Sequence, residues 1–471
     1  MSVKYKRENL TLQNGVESIN GSTPPNNIAS EILIKDMRFK LLIVIGTVLG
    51  GFAVAGLWAV SRHAPRPEAA AQNSSASDAQ AKPSDRQLQL IQNAIERSPN
   101  DPKGYNSLSA AYLKKARETG DFGFNARAET ALNRSFELNS SADNYGAIRL
   151  KAMLLLAYHR FGEALEAARR AQEIQPRDPQ NYGAMTDALV ELGDYPAAFK
   201  AGQTMMDIKP STSSYSRVSY LRELQGDTPG AIESMRAAAE AASDPESAAW
   251  CLVHLGNLLI NSGKAAAADR EFDNALYTFP DYYLALAGKA RARLAAGDTD
   301  SAITYYKQAQ ERVPLPETAI ALGDIYAKLG RMDEAKSQYD LVEFIERAGS
   351  IESGTYSRNI ALFWADHDVK LDEALAIAEK EHAARKDIFT ADTYAWCLYK
   401  KGNFQEAKNI VNEAMRLKTK DARIFYHAGM IEKGLGNKKE AAQFLQKALQ
   451  TNPSFDLLQA ENAKSALQEL K

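Results

Sequence analysis

The sequence predicts an all-α solenoid of stacked helix-turn-helix units, preceded by one N-terminal transmembrane helix. Three observations predict this fold class. Small residues recur at a regular spacing through most of the chain, glycines and prolines keep the same register, and one long uncharged apolar segment lies near the N-terminus. A regular spacing of roughly 20 to 50 residues is typical of solenoids, in which each unit buries its apolar face against its neighbours.

The first 38 residues are polar and are predicted to form a disordered tail. A transmembrane helix is predicted over residues 39–61, because Leu41 to Val60 contains only apolar or small residues and no charge. At about 1.5 Å per residue this run covers roughly 30 Å, the thickness of a bilayer core. It is longer than the apolar core of a cleavable signal peptide, so we expect an uncleaved membrane anchor.

The flanking charges predict the orientation of this helix. Lys35, Arg38 and Lys40 precede it, whereas Arg62 and Arg66 follow it. Because basic residues favour the cytoplasmic side, the N-terminus is predicted to be cytoplasmic and the rest of the chain outside, which is the periplasm in a bacterium. The difference in charge is small, and the reverse orientation remains the alternative.

Gly46 and Gly50 give the membrane segment a small-xxx-small spacing, which allows close contact with a second helix. Glycine is also common in membrane helices that have no partner, so both interpretations stay open. Residues 62–83 are rich in Pro, Ala, Ser and Gln and are predicted to be a flexible linker.

From residue 84 to residue 471 the helical pattern is continuous. One alanine marks the start of each second helix, at intervals of 33 to 39 residues. These alanines are Ala128, Ala164, Ala198, Ala231, Ala268, Ala302, Ala335, Ala374, Ala407 and Ala441. Prolines that end helices keep the same register, at Pro176, Pro210, Pro280, Pro314 and Pro453. Glycines are predicted in the turns between paired helices, at Gly162, Gly193, Gly226, Gly263, Gly297, Gly330, Gly402 and Gly436.

On these residues the chain resembles the tetratricopeptide repeat (TPR) family, and Leu255-Gly256, Ala268, Phe272 and Pro280 follow the family pattern closely. The resemblance covers Pro102 to Pro453 in about ten repeats and implies a right-handed superhelix. A half-repeat precedes the array, and a solvating helix around Leu457 to Leu470 is predicted to end it. The first repeat departs from the pattern at Lys114 to Asn125, and the eighth lacks a turn glycine between Trp364 and Leu371.

Chemistry-bearing residues are scattered. The six histidines form no metal-ligand pair, and Cys251 and Cys397 are predicted to be buried and unpaired. Asp366-His367-Asp368 is predicted to serve as turn and capping residues. No catalytic constellation, metal site or cofactor motif is recognised, so the sequence predicts no enzyme and no cofactor. A formal net charge of −2 with mixed signs argues against nucleic acid as a partner.

The family resemblance implies that the first helices of the repeats line a concave groove that binds peptides or partner helices. Aromatic and cationic residues on those helices in the last three repeats are the candidate protein-binding groove, because Trp, Tyr and Arg often carry binding energy. They are Tyr356, Asn359, Phe363, Phe389, Asp392, Trp396, Tyr399, Lys400, Arg423, Tyr426 and Met430. A weaker set is Tyr220, Trp250, Asn257 and Arg291. The alternative is that these aromatics pack between neighbouring repeats.

Asn257 matches an asparagine of the carboxylate clamp found in some members of the family, but Val253 stands where that clamp has a lysine, so a clamp is disfavoured. The sequence thus favours a membrane-anchored scaffold or adaptor for protein partners, for example in assembly of envelope or membrane complexes. A regulatory subunit of a membrane enzyme, or of a secretion or biogenesis system, is the alternative, and an enzyme is the least favoured hypothesis.

Overall fold

The computed structural model describes residues 83–353 and 358–470. The predicted tail, the predicted transmembrane helix with Gly46 and Gly50, and most of the predicted linker lie outside these residues, as does Tyr356. None of the described helices combines the length and the apolar character needed to cross a bilayer.

The described residues form 22 α-helices and no strand. The helices are α1 (Pro83–Arg97), α2 (Pro102–Thr119), α3 (Gly123–Leu138), α4 (Tyr145–Ala157), α5 (Phe161–Ile174), α6 (Pro179–Glu191), α7 (Tyr195–Ile208), α8 (Thr212–Leu224), α9 (Thr228–Glu240), α10 (Pro245–Asn261), α11 (Ala265–Thr278), α12 (Tyr283–Ala295), α13 (Thr299–Arg312), α14 (Pro316–Lys328), α15 (Met332–Ser353), α16 (Arg358–Asp366), α17 (Leu371–Ala384), α18 (Ile388–Lys400), α19 (Phe404–Ala414), α20 (Ala422–Gly434), α21 (Lys438–Thr451) and α22 (Gln459–Glu469). Helices α2 to α21 pair in chain order into repeats 1 to 10, while α1 precedes and α22 follows them.

Alanine and proline act as the sequence predicts. Each of the ten register alanines is at most 1% exposed, because a larger side chain there would separate the two helices of the repeat. Each of the five prolines lies two residues beyond the end of a second helix. The chain cannot continue the helix there, since proline lacks the backbone donor and clashes with the preceding turn.

The turns of two repeats differ from the prediction. Gly162 lies inside α5, and His159 is the residue that takes the left-handed conformation in the second repeat, with φ of 56°. In the eighth repeat Asp368 (φ 55°) and Lys370 (φ 46°) take the place of the missing glycine. These positions show that the turn geometry is conserved between repeats even where a side chain makes it less favourable.

The array coils so that the turns of early repeats contact the loops that follow repeats five units later. Gly193 lies against Lys386, Gly226 against Lys418 and Gly263 against Asn452. Hydrogen bonds join the same places: the Lys386 N–H donates to the Glu191 carbonyl at 3.0 Å, and the Asn452 side chain donates to the Ile260 carbonyl at 3.0 Å. We call this set of contacts the inter-turn seam. It was not predicted, because repeats were expected to contact mainly their neighbours.

An ionic cluster reinforces the seam. Arg385, in the loop after repeat 8, forms an ion pair with Glu191 at the end of α6. Its guanidinium also lies 3.3 Å from Asp387 and 3.7 Å from Glu381. Arg358 pairs with Asp387 at 2.9 Å from the other side. The seam therefore joins residues 194 apart in sequence through a partly buried ion pair.

Candidate functional site

The first helices of repeats 3 to 10 enclose two adjoining cavities, which together we call the lumen. The large cavity, about 670 Å³, is lined by residues of α10, α12, α14, α16, α18 and α20 and by the segment between residues 452 and 464. The small cavity, about 540 Å³, is lined mainly by α6, α8 and α10. Asn261 and Arg291 line both cavities. The first helices thus form the concave wall that the family resemblance implies.

Three of the aromatic candidates for the groove are buried in the protein core. Trp396 is 1% exposed, Tyr426 is 2% exposed and Phe363 is 5% exposed. The Trp396 ring stacks on His427 at 4.2 Å and on Tyr399 at 4.8 Å between centroids. For Trp396 and Tyr426 the structure therefore favours the alternative interpretation, in which the aromatic rings pack between neighbouring repeats and support the wall from behind.

The remaining candidates divide into two groups. Asn359, Phe389, Asp392 and Arg423 line the large cavity, and the edge of Phe363 also reaches it. Three others lie away from both cavities. Tyr399 packs on Trp396, Lys400 pairs with Asp368 at 2.8 Å, and Met430 packs against the core.

The wall of the large cavity carries acidic side chains that contact hydrogen-bond donors or a histidine ring. Asp366 accepts hydrogen bonds from Trp396 Nε1 at 2.8 Å and from Gln459 at 3.0 Å. Burial raises the pKa of Asp366 to about 6. His367 Nε2 lies 2.7 Å from the Asp324 carboxylate. His367 and Asp368 lie in the turn after α16, as predicted, and His367 Nδ1 lies 2.8 Å from the Phe363 carbonyl at the end of that helix. Asp366 is the last residue of α16, and Asp366 and His367 also line the large cavity.

The weaker set predicted in the middle of the array comes together in the small cavity. Tyr220, Trp250, Asn257 and Arg291 all line it. Arg291 donates to the Asn257 side chain at 3.2 Å and to the Asn261 side chain at 3.1 Å. Burial lowers the pKa of Arg291. Its guanidinium is thus held by neutral amides at the border between the two cavities.

Two residues of the small cavity were missed by the sequence analysis. The His254 ring packs at a tilt of 44° against the Trp250 ring, with 3.9 Å between the ring centroids, and burial lowers the pKa of His254 to about 4. Glu223 lies three residues after Tyr220 and therefore on the same face of α8. This three-residue spacing is the sequence signal that places Glu223 beside Tyr220. It does not by itself indicate a binding residue, because a single glutamate on a helix is usually solvated.

Among the described residues, no basic side chain forms an ion pair with the Glu223 carboxyl group. Burial and, to a smaller extent, the negative charge of Asp421 together raise the pKa of Glu223 to about 7. Among the charged groups of the described chain, no ammonium or guanidinium lowers this pKa. Asp187 and Glu191, the other two acids of the small cavity, are paired with Arg217 and Arg385 respectively.

This environment predicts that Glu223→Gln stabilises the protein at high pH. The pKa of Glu223 is higher in the folded state than its ordinary value of 4.5, so the folded state loses stability as pH rises from about 4.5 through 7. We expect the amide to raise the free energy of unfolding by on the order of 2 kcal/mol at pH 8 and to change it little near pH 4.5.

Urea denaturation at several pH values measures this difference. Glu233→Gln is the matched control, since the Glu233 side chain is 84% exposed. A pH-independent effect of Glu223→Gln would contradict the assigned environment.

Within the described residues, no cluster of three or more His, Cys, Asp or Glu side chains has the arrangement of a metal site. Cys251 and Cys397 are free and buried, as predicted, and burial raises the pKa of each thiol to about 12.

Comparison with known proteins agrees with the helix pairs. Models of the tetratricopeptide repeat match residues 254–316, 288–350 and 422–455. The RNA polymerase-associated protein CTR9 of Caenorhabditis elegans is 25% identical over 209 residues, which is 41% of this chain and 17% of that protein. Cellulose synthase 1 operon protein C of Komagataeibacter xylinus is 27% identical over 213 residues, or 45% of this chain and 14% of that protein. The chain thus aligns with less than a fifth of either relative.

Among solved structures, the chain is similar to PilW, described as a widely conserved type IV pilus biogenesis factor, with 17% identity and a TM-score of 0.37. That match covers 42% of this chain and 91% of PilW. The repeat models, the register of alanines and prolines and the paired helices agree with one another. The chain therefore contains tetratricopeptide repeats, which the repeat models match over residues 254–350 and 422–455, and its described part is an all-α TPR helical solenoid.

Proposed function

We propose that this protein is a membrane-anchored scaffold that binds an extended segment of a partner protein in its lumen. The observation that carries the proposal is the lumen itself, a cavity wall of aromatic, amide and charged side chains supplied by successive first helices. TPR proteins bind protein partners, and cavities of several hundred Å³ accommodate a ligand or a single peptide segment rather than a folded domain.

The polar wall also supports a peptide as the occupant. Asn257, Asn261 and Asn359 present amide groups, and Tyr220 and Phe389 present rings at the surface of the lumen. An extended chain carries an unpaired donor and acceptor at each residue, which such side chains can satisfy. A non-enzymatic role belongs to the same proposal.

Site-specific photo-crosslinking in the native cell tests the lumen as the binding site. A photoreactive phenylalanine analogue replaces Tyr220 or Phe389, which line the lumen, or Tyr277, which is 91% exposed on a second helix. We expect a crosslinked partner from the two lumen positions and not from Tyr277, because the partner segment lies inside the coil. Crosslinking from Tyr277 alone would move the binding site to the outer surface.

The membrane anchor is a separate part of the proposal and rests on the run from Leu41 to Val60. Replacing this run with an unrelated transmembrane segment should leave partner capture intact if the segment serves only as an anchor. Loss of function with capture intact would favour the regulatory-subunit alternative. Protease treatment of cells whose outer barrier has been opened tests the orientation. If the TPR array lies outside the cytoplasmic membrane, the protease should cleave the linker while the cytoplasmic membrane is still intact.

A further inference from the structure

The geometry points to the small cavity as a recognition pocket for a basic side chain, lysine or arginine, in the bound segment. This inference rests on the proposed function and adds the chemistry of the partner. Its elements are one carboxyl group, Glu223, and two aromatic rings, Tyr220 and Trp250, that line the same cavity. Together they are the groups that recognise an organic cation.

Glu223 is the acid available for a ligand. Arg217 donates two hydrogen bonds to the Asp187 carboxylate, at 2.8 and 2.6 Å. Arg385 forms an ion pair with Glu191 across the inter-turn seam. Glu223 has no ion pair within the part of the chain that the structure describes. A cation entering the small cavity therefore meets one carboxyl group whose charge is not already compensated.

The aromatic rings complete the pocket. Tyr220 lies one helical turn before Glu223 on α8. Burial is the main cause that raises the pKa of the Tyr220 hydroxyl, and Glu223 is one of the nearby acids that raise it further. Tyr220 lines the small cavity and is 37% exposed, so its ring is accessible to a ligand. Trp250 contributes from the next first helix, α10, where His254 holds its ring in place. A cation over such rings gains attraction that a neutral side chain does not.

The charges around the pocket favour a base over an acid. Asp421, from the second coil turn, is the charge that acts on Glu223, and it is negative. His254 is neutral at physiological pH because burial lowers its pKa to about 4. Arg217 is neutralised by Asp187, and Arg291 is held by Asn257 and Asn261 at the border with the large cavity. An ammonium or guanidinium group at Glu223 stabilises its carboxylate, whereas an acidic group would add a second uncompensated negative charge.

Three fluorescein-labelled peptides of equal length test the pocket against the purified full chain by fluorescence anisotropy. They alternate alanine with lysine, with glutamine or with glutamate. We expect the Ala-Lys peptide to bind most tightly and Glu223→Gln to weaken its binding about tenfold, which corresponds to loss of one charge-assisted hydrogen bond. Glu233→Gln, on the exposed face of α9, should leave its binding unchanged.

A pair of variants at Tyr220 and a change of pH separate recognition from folding. Tyr220→Phe keeps the ring and should keep the affinity for the Ala-Lys peptide, whereas Tyr220→Leu should weaken it several-fold. Binding by the unaltered protein should strengthen between about pH 6 and pH 8, as Glu223 ionises, and Glu223→Gln should remove that dependence. Circular dichroism of each variant verifies that the helices are intact.

Equal binding of the three peptides, no binding of any of them, or an undiminished affinity in Glu223→Gln would overturn the basic pocket. None of these results affects the photo-crosslinking experiment, which reports on partner binding in the lumen whatever the charge of the partner. Conversely, selective binding of the Ala-Lys peptide without a crosslink from Tyr220 or Phe389 in cells would support the pocket and overturn the proposed function.

Discussion

Arg385→Ala is expected to lower the free energy of unfolding by about 3 kcal/mol, the lower end of the range for a broken buried ion pair, because it leaves Glu191, whose side chain is 26% exposed, without its partner. Arg385 is 8% exposed, and burial raises the pKa of Glu191, whereas the nearby Arg385 charge lowers it. Asp387 keeps its ion pair with Arg358, so Glu191 is the carboxylate that is left without an ion-pair partner. The variant should therefore open the inter-turn seam between repeats 3 and 8.

Guanidinium chloride denaturation measures the loss, and hydrogen exchange locates it. We expect faster exchange in α6, α7 and the start of α18, with little change in repeats 5 and 6. Arg331→Ala is the matched control, because Arg331 pairs with Glu334 at the surface of a single repeat, where solvent screens the pair. If Arg385→Ala behaves like Arg331→Ala, the seam is not held by its buried charges.

Trp396→Ala is expected to cost about 3 to 5 kcal/mol of stability, as for other fully buried large aromatic side chains. The substitution removes a ring that packs against Tyr399, Tyr426 and His427 and leaves a cavity in the core of repeats 9 and 10. It also removes the indole donor to Asp366. Trp396→Phe keeps part of the packing and should cost less.

Thermal and chemical denaturation measure this loss, with Tyr277→Ala as the control for an exposed aromatic residue. A Trp396→Ala variant as stable as Tyr277→Ala would contradict the burial of the ring. The same result bears on binding studies, because a loss of partner capture in Trp396→Ala follows from unfolding as readily as from a lost contact. Phe389 and Arg423, which face the large cavity, are the informative positions.

The repeats were predictable because their determinants are local. Ala268 must be small where two helices touch, and Pro280 must end a helix whatever the rest of the chain does. The turn of repeat 2 was misplaced for a local reason as well. The sequence predicts Gly162 as the turn residue, but His159 adopts the left-handed conformation at an energetic cost that the packed repeat compensates.

Which first-helix residues face the lumen was less predictable. Phe389 and Trp396 lie on the same helix two turns apart, yet Phe389 lines the large cavity and Trp396 is buried. The two ends of α18 have different neighbours, because the helix leans against α16 and α20 as the array coils. Helical spacing gives the direction of a side chain from its own helix but not the position of the next helix.

The inter-turn seam could not be predicted from any spacing. It depends on the pitch of the coil, which is the sum of small rotations between successive repeats. Glu191 and Arg385 are ordinary charged residues at the ends of helices, and nothing near either of them in sequence indicates the other. For the same reason Glu223 was not recognised as the carboxyl group of a pocket, since Asp421 approaches it from the other coil turn.

The two partners of each seam contact are synthesised at different times. Its hydrogen bonds join residues 192 to 195 apart, so the ribosome completes the early repeats long before their covering loops emerge. At about 5 to 20 residues per second this interval is on the order of ten to forty seconds. During that time the carbonyls of Glu191, Leu224 and Ile260, at the C-terminal ends of their helices, lack the loops that contact them in the complete protein. A second nascent chain on the same message carries the same loops, and an exchange of them between chains would produce a domain-swapped dimer. Chaperone binding to ribosome-bound chains should therefore peak after repeat 5 and fall once repeat 10 has been translated.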